Sequence, residues 1–491
     1  MRERIVVGVK RFTSTYREWQ FQKFEQSRLR KLVGGTTLNT RSLATLGDAI
    51  RLATEYEISN RVYLLGSLAR GLTVFDQQVR AHNLAWALWR LLEGDQTAVK
   101  AKHIAVVGGG VAGLTATACL LARTKGVEVT LFEERWDLCP LQQGSDTRWV
   151  HPHIYRWPEH GSRAPDAGLP VLNWTEGRAS DVSREILEGF GRYAEKYGEN
   201  RLQIYLGLNH LRVDAAKRTV EWMGRKGERT GAFIRSGNPH GSSCSFDAIV
   251  LATGFGLEEG ADGVGGSASY WRNDRLGQPE LSGSRRTHII SGFGDGALVD
   301  LCRLTIERFR QDTILYELFG DDLEILEEEL RGHLAGDFGR TNANVYDILD
   351  SSLSYRSKIL FDEASTKLLT RLRKDTIVIL HARGRDGTNS SLKDLFGPHS
   401  SFLNRTLLYL LYRCGGFVLV MGELEVAKRE FDVGEERVVR RYGANTLKAL
   451  LKLFSNPGMV SARLDKMKSD SLQSATRKWP LGAFPLIAET K

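Results

Sequence analysis

Three glycines early in the chain have the spacing needed to bind a dinucleotide. Gly108, Gly110 and Gly113 stand in G-x-G-x-x-G order directly after the short apolar run 104–107. In such a turn the first glycine permits a tight bend, the second lets backbone approach a pyrophosphate, and the third lets a helix pack on the strand. The N-terminus of that helix, with its unpaired N–H groups, then faces the phosphates.

The elements around these glycines complete one βαβ unit. Small and apolar residues at 114–123 predict a buried helix, and 127–132 predict a second strand. Glu133 closes this strand 25 residues after Gly108, near the spacing at which an acid binds the ribose hydroxyls. The alternative interpretation of these residues is a glycine-rich turn in an ordinary α/β protein. Four further residues flank the turn and the acid, and we expect them to contact the dinucleotide: Val111, Ala112, Glu134 and Arg135.

The composition of the chain limits the classes of protein that it fits. Among its 491 residues no apolar run is long enough to span a membrane, so we expect a cytoplasmic protein with no membrane partner. Five scattered cysteines favour neither a disulfide framework nor a metal site. The net charge of +9 suits anionic ligands, but it is spread over the chain. A nucleic-acid or protein partner stays open without being favoured, and nothing indicates the oligomeric state.

The region before the βαβ unit, residues 1–100, predicts an N-terminal helical extension. Apolar spacing indicates a helix over 43–56 and a second over 77–92, with short strands at 61–66 and 72–75 between them. Residues 10–31 form a basic, aromatic segment without assigned chemistry. Polar residues occupy the first two turns of the second helix, where they face either solvent or a ligand, and we favour solvent: Gln77, Gln78, Arg80 and Asn83.

A long segment without helical period, 136–174, follows the acid and holds the candidate substrate-facing groups. His151 and His153 can exchange protons near neutral pH, and Arg148 can clamp a carboxylate. Tyr155 lies just beyond them. Arg148 also falls where the chain should return over the cofactor. Packing within the loop is the alternative for each of these side chains, and we predict no metal site because no carboxylate or cysteine shares the histidine spacing.

The apolar strand 246–251 runs into Ala252-Thr253-Gly254-Phe255. The pairing of an upstream GGGVAG turn with a strand ending in ATGF resembles the FAD-dependent oxidoreductases of the glutathione-reductase-like superfamily, over about residues 102–299. This resemblance implies an FAD whose pyrophosphate lies on residues 108–113 and whose adenosine ribose meets Glu133. It also implies that Thr253 and Gly254 back the cofactor.

A second glycine turn, 292–297, follows the predicted strand 287–291 and allows two interpretations. In the first, which we favour, it resembles the late Gly-Asp element of that family, and Gly294 and Asp295 hold the flavin ribityl chain. In the second it opens a site for NAD(P)H, with a next strand at 313–318 and Glu317 as the ribose acid. The Asp295 carboxylate argues against the second, since it would repel phosphate.

These patterns together predict an α/β protein. We expect a Rossmann-like FAD/NAD(P)-binding domain with a parallel sheet over 101–300, interrupted by an inserted loop and a β-element at 202–223. We expect a mixed α/β region over 301–491 that binds the substrate or a second nucleotide, with strands at 376–380 and 417–421 and a candidate lid at 381–401. The expected function is an FAD-dependent oxidoreductase, either oxidase, dehydrogenase or monooxygenase, acting on a small molecule. The alternative is an FAD- or NAD(P)-binding sensor or assembly subunit without redox turnover.

Overall fold

Short strands alternate with helices along most of the chain. The computed structural model describes residues 46–68, 72–94, 102–227, 229–254, 269–334, 344–382, 395–397, 400–470 and 475–486. The strands are β1 Glu57–Ser59, β2 Val62–Leu64, β3 Lys102–Val107, β4 Val127–Phe132, β5 Trp149–Val150, β6 Gly177–Arg178, β7 Leu202–Tyr205, β8 Leu208–Asp214, β9 Thr219–Gly224, β10 Ser242–Ser245, β11 Ala248–Leu251, β12 Arg286–Ser291, β13 Thr376–Ala382, β14 Val418–Met421 and β15 Val438–Arg440.

The α-helices lie before, between and after these strands. They are α1 Leu46–Tyr56, α2 Val74–Gly94, α3 Val111–Arg123, α4 Ala179–Tyr197, α5 Asp295–Thr305, α6 Ile314–Phe319, α7 Leu323–His333, α8 Val345–Asp347, α9 Tyr355–Thr370, α10 Phe402–Arg413, α11 Leu424–Glu430, α12 Thr446–Leu451 and α13 Ser461–Asp470. The predicted basic segment 10–31 and most of the predicted lid 381–401 lie outside the described residues.

The first sheet has the strand order β1-β2-β11-β3-β4-β7, and all of its strands except β1 run parallel. Its central strands are almost entirely apolar because helices cover one face and other elements the opposite face. Val107 lies opposite Phe132 on one side and Leu251 on the other, and Leu251 lies opposite Leu64. The carboxyl ends of four strands therefore meet at one edge.

The two faces of the first sheet have different covers. Helices α1 to α4 bury their apolar sides on one face. The opposite face packs on β8 and β9, which with β10 form an antiparallel three-stranded sheet, and on residues of α12 and α13. This antiparallel sheet is the β-element predicted at 202–223, but β7 within that range belongs to the first sheet.

A second sheet has the order β14-β13-β12-β15, and all four strands are parallel. Helix α5 follows β12 and packs with α6 to α10 in a separate apolar core. In chain order the strands β12 to β15 have the arrangement 3-2-1-4 across the sheet. The strands β3, β4, β7 and β11 have this same arrangement in the first sheet, so the second sheet repeats its topology.

This topology corrects three predictions about domain organisation. Strands β1 and β2 belong to the first sheet, so residues 57–64 are not part of a separate helical extension. Strand β12 belongs to the second sheet, so the first domain does not extend to residue 300. The stretch 313–318, predicted as a strand, is mostly helix α6, and the neighbour of β12 is β13. Buried leucines placed at helical spacing explain the difference.

The segment 475–486 packs on helix α2. The His82 ring stacks on Trp479 with ring centroids 4.7 Å apart, and Phe484 meets it edge-on. Asn83 Oδ1 accepts a hydrogen bond of 2.9 Å from the backbone N–H of Lys478. These contacts hold the segment 475–486 against the middle of α2.

Acid is expected to weaken the His82 contact. Burial lowers the pKa of His82 to about 4, and its Nε2 has no partner that could accept a proton from it. An unfolded histidine titrates near pH 6.5, so below that pH His82 binds a proton in the unfolded chain but stays neutral in the folded chain. The free energy of unfolding should fall by about 2 kcal/mol between pH 7 and pH 5 because of this residue. Urea unfolding of His82→Phe, which keeps an aromatic ring, should lack this decrement; an equal acid loss in both proteins would contradict the assignment.

Candidate dinucleotide-binding sites

The first glycine turn requires glycine at two positions and leaves open space at a third. Gly108 has φ +113°, and a Cβ there would lie 2.3 Å from the carbonyl oxygen of Ala252. A Cβ at Gly113 would lie 1.9 Å from the carbonyl oxygen of Gly108. A Cβ at Gly110, which caps α3, would have no atom of the described residues within 4 Å. The space before Gly110 and the α3 N-terminus, begun by Val111, therefore fits a pyrophosphate.

Glu133 stands at the end of β4 and braces the glycine turn. Its Oε2 accepts a hydrogen bond of 2.6 Å from the N–H of Gly109, and its Oε1 accepts one of 2.7 Å from the N–H of Arg135. Burial raises the pKa of Glu133, while these two N–H donors oppose that rise. The side chains of Glu134 and Arg135 are exposed. The carboxylate is thus fixed where a ribose diol beside the turn would meet its remaining lone pairs.

The substitution Glu133→Gln is expected to weaken FAD binding about 10- to 100-fold. Glutamine has one acceptor oxygen, so only one of the two N–H donors keeps its partner. The neutral amide also offers a ribose hydroxyl no charged acceptor, and a lost hydrogen bond to a charged group corresponds to about 1.5–3 kcal/mol, where each 1.4 kcal/mol is tenfold in affinity. Titration of the flavin-free protein with FAD, followed by flavin fluorescence, measures the change. Glu134→Gln on the exposed neighbour is the control, and equal losses in both variants would contradict the role of Glu133.

The strand end at β11 lies beside the glycine turn, as the sequence predicts. The Ala252 N–H donates to the Val107 carbonyl over 2.7 Å. Thr253 is exposed, and Gly254 has φ +67° with open space at its Cβ position. Phe255 lies outside the described residues. Thr253 and Gly254 therefore stand next to the turn at the same edge of the sheet.

Sequence reasoning missed the end of β2, which reaches this edge beyond β11. The Leu65 N–H donates to the Leu251 carbonyl over 2.8 Å, and Gly66 follows with φ +63°. Ser67 is 2% exposed, and its Oγ has no hydrogen-bond partner among the described residues. A strand over 61–66 that ends in a glycine, and a helix with polar first turns, were visible in the sequence. Only the pairing with Leu251, far along the chain, shows which sheet they join.

The polar residues at the start of α2 are buried, so the prediction that they face solvent is wrong. Gln78 Nε2 donates to the Leu172 carbonyl over 2.9 Å and to Thr115 Oγ1 over 3.3 Å. Arg80 Nη1 donates to Gln77 Oε1 over 3.1 Å, and this oxygen lies where a side chain at Gly66 would begin. Because Thr115 belongs to α3, the N-terminal turns of α2 and α3 lie side by side.

The second glycine turn has nearly the same backbone geometry as the first. Gly292 has φ +122°, and a Cβ there would lie 2.5 Å from the Arg441 carbonyl oxygen. Gly294 caps α5 with φ −75° and ψ 174°, compared with −77° and −178° for Gly110, and again no atom lies within 4 Å of its Cβ position. Ala297 takes the place of the third glycine.

Asp295 does not face the second glycine turn. Its Oδ1 accepts hydrogen bonds from the Ser401 N–H over 2.8 Å and from Asn404 Nδ2 over 2.6 Å, at the start of α10. Burial raises the pKa of Asp295, and these donors counteract the rise. The predicted repulsion of phosphate is therefore wrong. Gly294 and Asp295 follow β12 in the second sheet, whereas in the first sheet the strand on the outer side of β11 is β2, which ends before Gly66.

Arg148 lies inside a buried ion network rather than over a substrate. Its guanidinium donates to Asp300, to Asp274 over 2.8 Å and to the Tyr270 carbonyl over 2.6 Å. Arg303 and Arg441 also bind Asp300. The network joins the segment after β4 to α5 and to the end of β15. Arg148 therefore has a structural role, and the prediction that it clamps a substrate is wrong.

The other three candidate catalytic residues also bind protein groups. His151 Nδ1 accepts from the N–H groups of His153 and Ile154, and its Nε2 lies 3.0 Å from a carboxylate oxygen of Glu176. His153 Nε2 lies 3.0 Å from the Asp166 carbonyl. Burial raises the pKa of Tyr155, whose side chain packs against the core of the second sheet. These contacts correspond to the alternative interpretation, in which the side chains pack within the protein and do not face a substrate.

Among the described residues, no group of three His, Cys, Asp or Glu side chains is placed to hold a metal ion. None of their helices is both long and apolar enough to cross a membrane. All five cysteines are unpaired, and burial raises the pKa of the Cys139 thiol to about 12, so it stays protonated near neutral pH.

Comparison with known proteins identifies the general class of the first unit. Residues 103–235, less than half of the chain, match the DAO family model, described as FAD dependent oxidoreductase. This segment contains the first glycine turn and Glu133, so the match supports FAD as cofactor and an FAD-dependent oxidoreductase as the general class. No curated protein sequence matches the chain.

Several solved structures are similar in part. An NAD-dependent persulfide reductase from A. fulgidus is 16% identical with a TM-score of 0.24, and the alignment covers 41% of this chain and 31% of that one. The bacillithiol disulfide reductase from Bacillus cereus is 9% identical with a TM-score of 0.32, covering 65% and 67%. Cyclohexanone monooxygenase from Rhodococcus sp. Phi1, bound to NADP+, is 11% identical with a TM-score of 0.33, covering 73% of each. At these values the likenesses carry no conclusion about the reaction.

Proposed function

We propose that the protein is an FAD-dependent oxidoreductase acting on a small molecule. The observation that carries this proposal is the first glycine turn, with open space before Gly110 and a fixed carboxylate at Glu133, inside the segment that matches the family model. In flavoenzymes the isoalloxazine ring carries the electrons, and the protein supplies position, local charge and exclusion of water. Oxidase, dehydrogenase and monooxygenase chemistry all fit this description.

The positions of the strand ends suggest how FAD would lie. Open α/β sheets bind ligands beyond the carboxyl ends of their strands, where the strand order reverses, and in the first sheet this point lies between β3 and β11. The pyrophosphate would rest on Gly110 and the α3 N-terminus, with the adenosine ribose at Glu133. Strand β2 ends two strands from β3, about 10 Å away.

The flavin half of the cofactor would reach Gly66 and Ser67 at the end of β2. The unpaired Ser67 Oγ and the neighbouring α2 N-terminus would offer hydrogen bonds to its polar groups. This arrangement also supports a finer relation to the glutathione-reductase-like flavoproteins. In this chain, however, the strand and helix for the flavin half would precede the first glycine turn in sequence.

Absorbance spectroscopy of the purified protein tests the proposed function. A yellow protein with near-stoichiometric FAD would support an oxidoreductase if a reductant bleaches the flavin anaerobically and oxygen or a substrate then reoxidises the reduced flavin. A protein that stays colourless after incubation with FAD would contradict it. If the bound FAD is neither reduced by a nicotinamide or a substrate nor reoxidised by an oxidant, the result would favour the sensor or assembly subunit.

A further inference from the structure

Strand β14 leaves one edge of the second sheet without a partner strand among the described residues. It is the outermost strand of the order β14-β13-β12-β15, and it pairs with β13 on its inner side. The run that contains it, residues 416–422, reads GFVLVMG and has no charged side chain. In a strand at the edge of a sheet, alternate N–H and C=O groups point away from the sheet and can pair with another chain.

The other edges of the two parallel sheets are covered, short or charged. On β7, Ile204 donates its N–H to the Phe233 carbonyl and accepts from the Arg235 N–H, each over 2.8 Å. On β1, the Arg463 guanidinium donates to the Glu57 carbonyl over 2.9 Å. Strand β15 is three residues long and ends in an arginine. These are the devices that keep sheet edges from pairing with other chains, and the uncharged run at β14 has none of them among the described residues.

The repeated topology shows which backbone groups of β14 point outward. Strand β14 lies beside β13 as β7 lies beside β4. Phe132 and His381 are equivalent because each lies opposite the last residue before a glycine turn. Ile204, whose N–H and C=O bind the covering segment, lies one residue before the partner of Phe132, and Leu419 lies one residue before the partner of His381. Leu419 and the residues two places before and after it therefore present their N–H and C=O groups outward.

We propose that β14 pairs with β14 of a second copy of the protein, in antiparallel orientation about a twofold axis. A twofold contact requires a self-complementary edge, and the run 416–422 provides one. With Leu419 on the axis, Phe417 lies opposite Met421 of the second copy. Val418 lies opposite Val420 of the second copy, and the glycines at the two ends of the run lie opposite each other. Outward-facing residues then meet outward-facing residues, which forms about six hydrogen bonds between the copies.

The side chains of the run fit this pairing on both faces of the sheet. Leu419 and Phe417 pack against the core between the second sheet and its helices, and Val420 packs against the smaller core on the opposite face. Val418 shares that opposite face and is 43% exposed, and Ile377 on the neighbouring strand is 36% exposed. In the paired copies Val420 of the second copy covers Val418. The contact thus buries apolar surface without removing a charge of the run from water.

Sedimentation velocity of the full-length protein tests the association. Pairing through one short strand in each copy buries an area at the low end for protein complexes, so we expect a dissociation constant in the micromolar range. The mean mass should rise from that of one chain to that of two as the protein concentration passes through this range. A protein that sediments as a single chain throughout would overturn the proposal.

The variant Val418→Lys tests whether the contact lies at β14. It introduces a charge into the uncharged run and places two lysines diagonally across the axis, so the dissociation constant should rise at least about tenfold. Val418 is already exposed, so the variant should keep the far-ultraviolet circular dichroism of the wild-type protein. Ile50→Lys, at a position that is 50% exposed on α1, is the matched control and should associate like the wild-type protein. Equal dissociation constants in the two variants would place the contact elsewhere and overturn the proposal.

Disulfide cross-linking tests the register of the paired strands. Val418 and Val420 of the second copy occupy a non-hydrogen-bonded pair, whose Cα atoms lie about 4.5 Å apart, within reach of a disulfide. Under mild oxidation the double variant Val418→Cys/Val420→Cys should give a linked dimer on a non-reducing gel. Val418→Cys alone, with a diagonal separation of about 7–8 Å, should give little, and the wild-type protein controls for its own cysteines. Equal yields in the double and the single variant would contradict the pairing about Leu419.

Discussion

Replacing Gly110 by leucine is expected to abolish FAD binding while leaving the folded protein intact. The backbone of Gly110, with φ −77° and ψ −178°, is accessible to any residue, and no atom lies within 4 Å of its Cβ position. Leucine is a poorer helix cap than glycine, which costs about 1 kcal/mol or less. Its side chain would instead occupy the space before the α3 N-terminus, where the pyrophosphate is proposed to lie. The ratio of flavin absorbance to protein concentration measures the loss.

Two further glycine variants separate this effect from a general defect. Gly191→Leu lies within α4, where a Cβ also meets no atom, and it should retain FAD. Gly113→Ala would place a Cβ 1.9 Å from the Gly108 carbonyl oxygen, so it should lower both FAD content and the melting temperature of the flavin-free protein. Near-stoichiometric FAD in Gly110→Leu would show that the phosphates lie elsewhere.

The first βαβ unit could be predicted from the sequence because its signals are local. The strand β4 has the predicted bounds, and Glu133 lies against the turn as its spacing indicated. Buried parallel strands are uniformly apolar, and the glycines between strand and helix are each required by a contact within a few residues or by the adjacent strand. The glycine turn, its helix and Glu133 therefore all lie within about 30 consecutive residues, so the sequence alone indicates them.

The other half of the site could not be predicted because it depends on pairing between distant segments. Val62 lies opposite Ile249, and neither short run specifies its neighbour. Periodicity also gave no means of deciding that Asp295 turns toward α10 and away from the glycine turn, because that orientation depends on Ser401 and Asn404. Three strands of the second sheet were visible as isolated apolar runs, at 287–291, 376–380 and 417–421, and the agreement of this sheet with the first required the register.

The same limit applies to Arg148, which was predicted as a substrate clamp. An arginine in a loop rich in histidine and tryptophan has the composition of a binding segment. Its partner Asp300 lies on a helix far along the chain, and the carboxylate is completely buried. Residue type and spacing do not distinguish an arginine that binds a ligand from one that joins two parts of a protein.

Asp300 is the carboxylate on which three guanidinium groups converge. Its Oδ1 accepts from Arg148 and, over 2.9 Å, from Arg303, and its Oδ2 accepts from Arg441 over 2.9 Å. Burial alone would raise the pKa of Asp300, but the three arginines together hold it below its usual value. The carboxylate therefore stabilises the folded protein at neutral pH, and this contribution is lost as the pH falls below about 4, through the folded pKa.

Replacing Asp300 by asparagine is expected to lower the free energy of unfolding by about 3–5 kcal/mol, because it removes the buried carboxylate on which three guanidinium groups converge. Urea unfolding at pH 7 measures the loss. Asp362→Asn breaks the exposed ion pair with Arg413 and should cost at most about 1 kcal/mol, so it controls for removal of a negative charge. The wild-type protein should approach the stability of Asp300→Asn as the pH is lowered through the folded pKa of Asp300. If both variants unfold within 1 kcal/mol of each other at pH 7, the network does not hold the second glycine turn against the segment after β4.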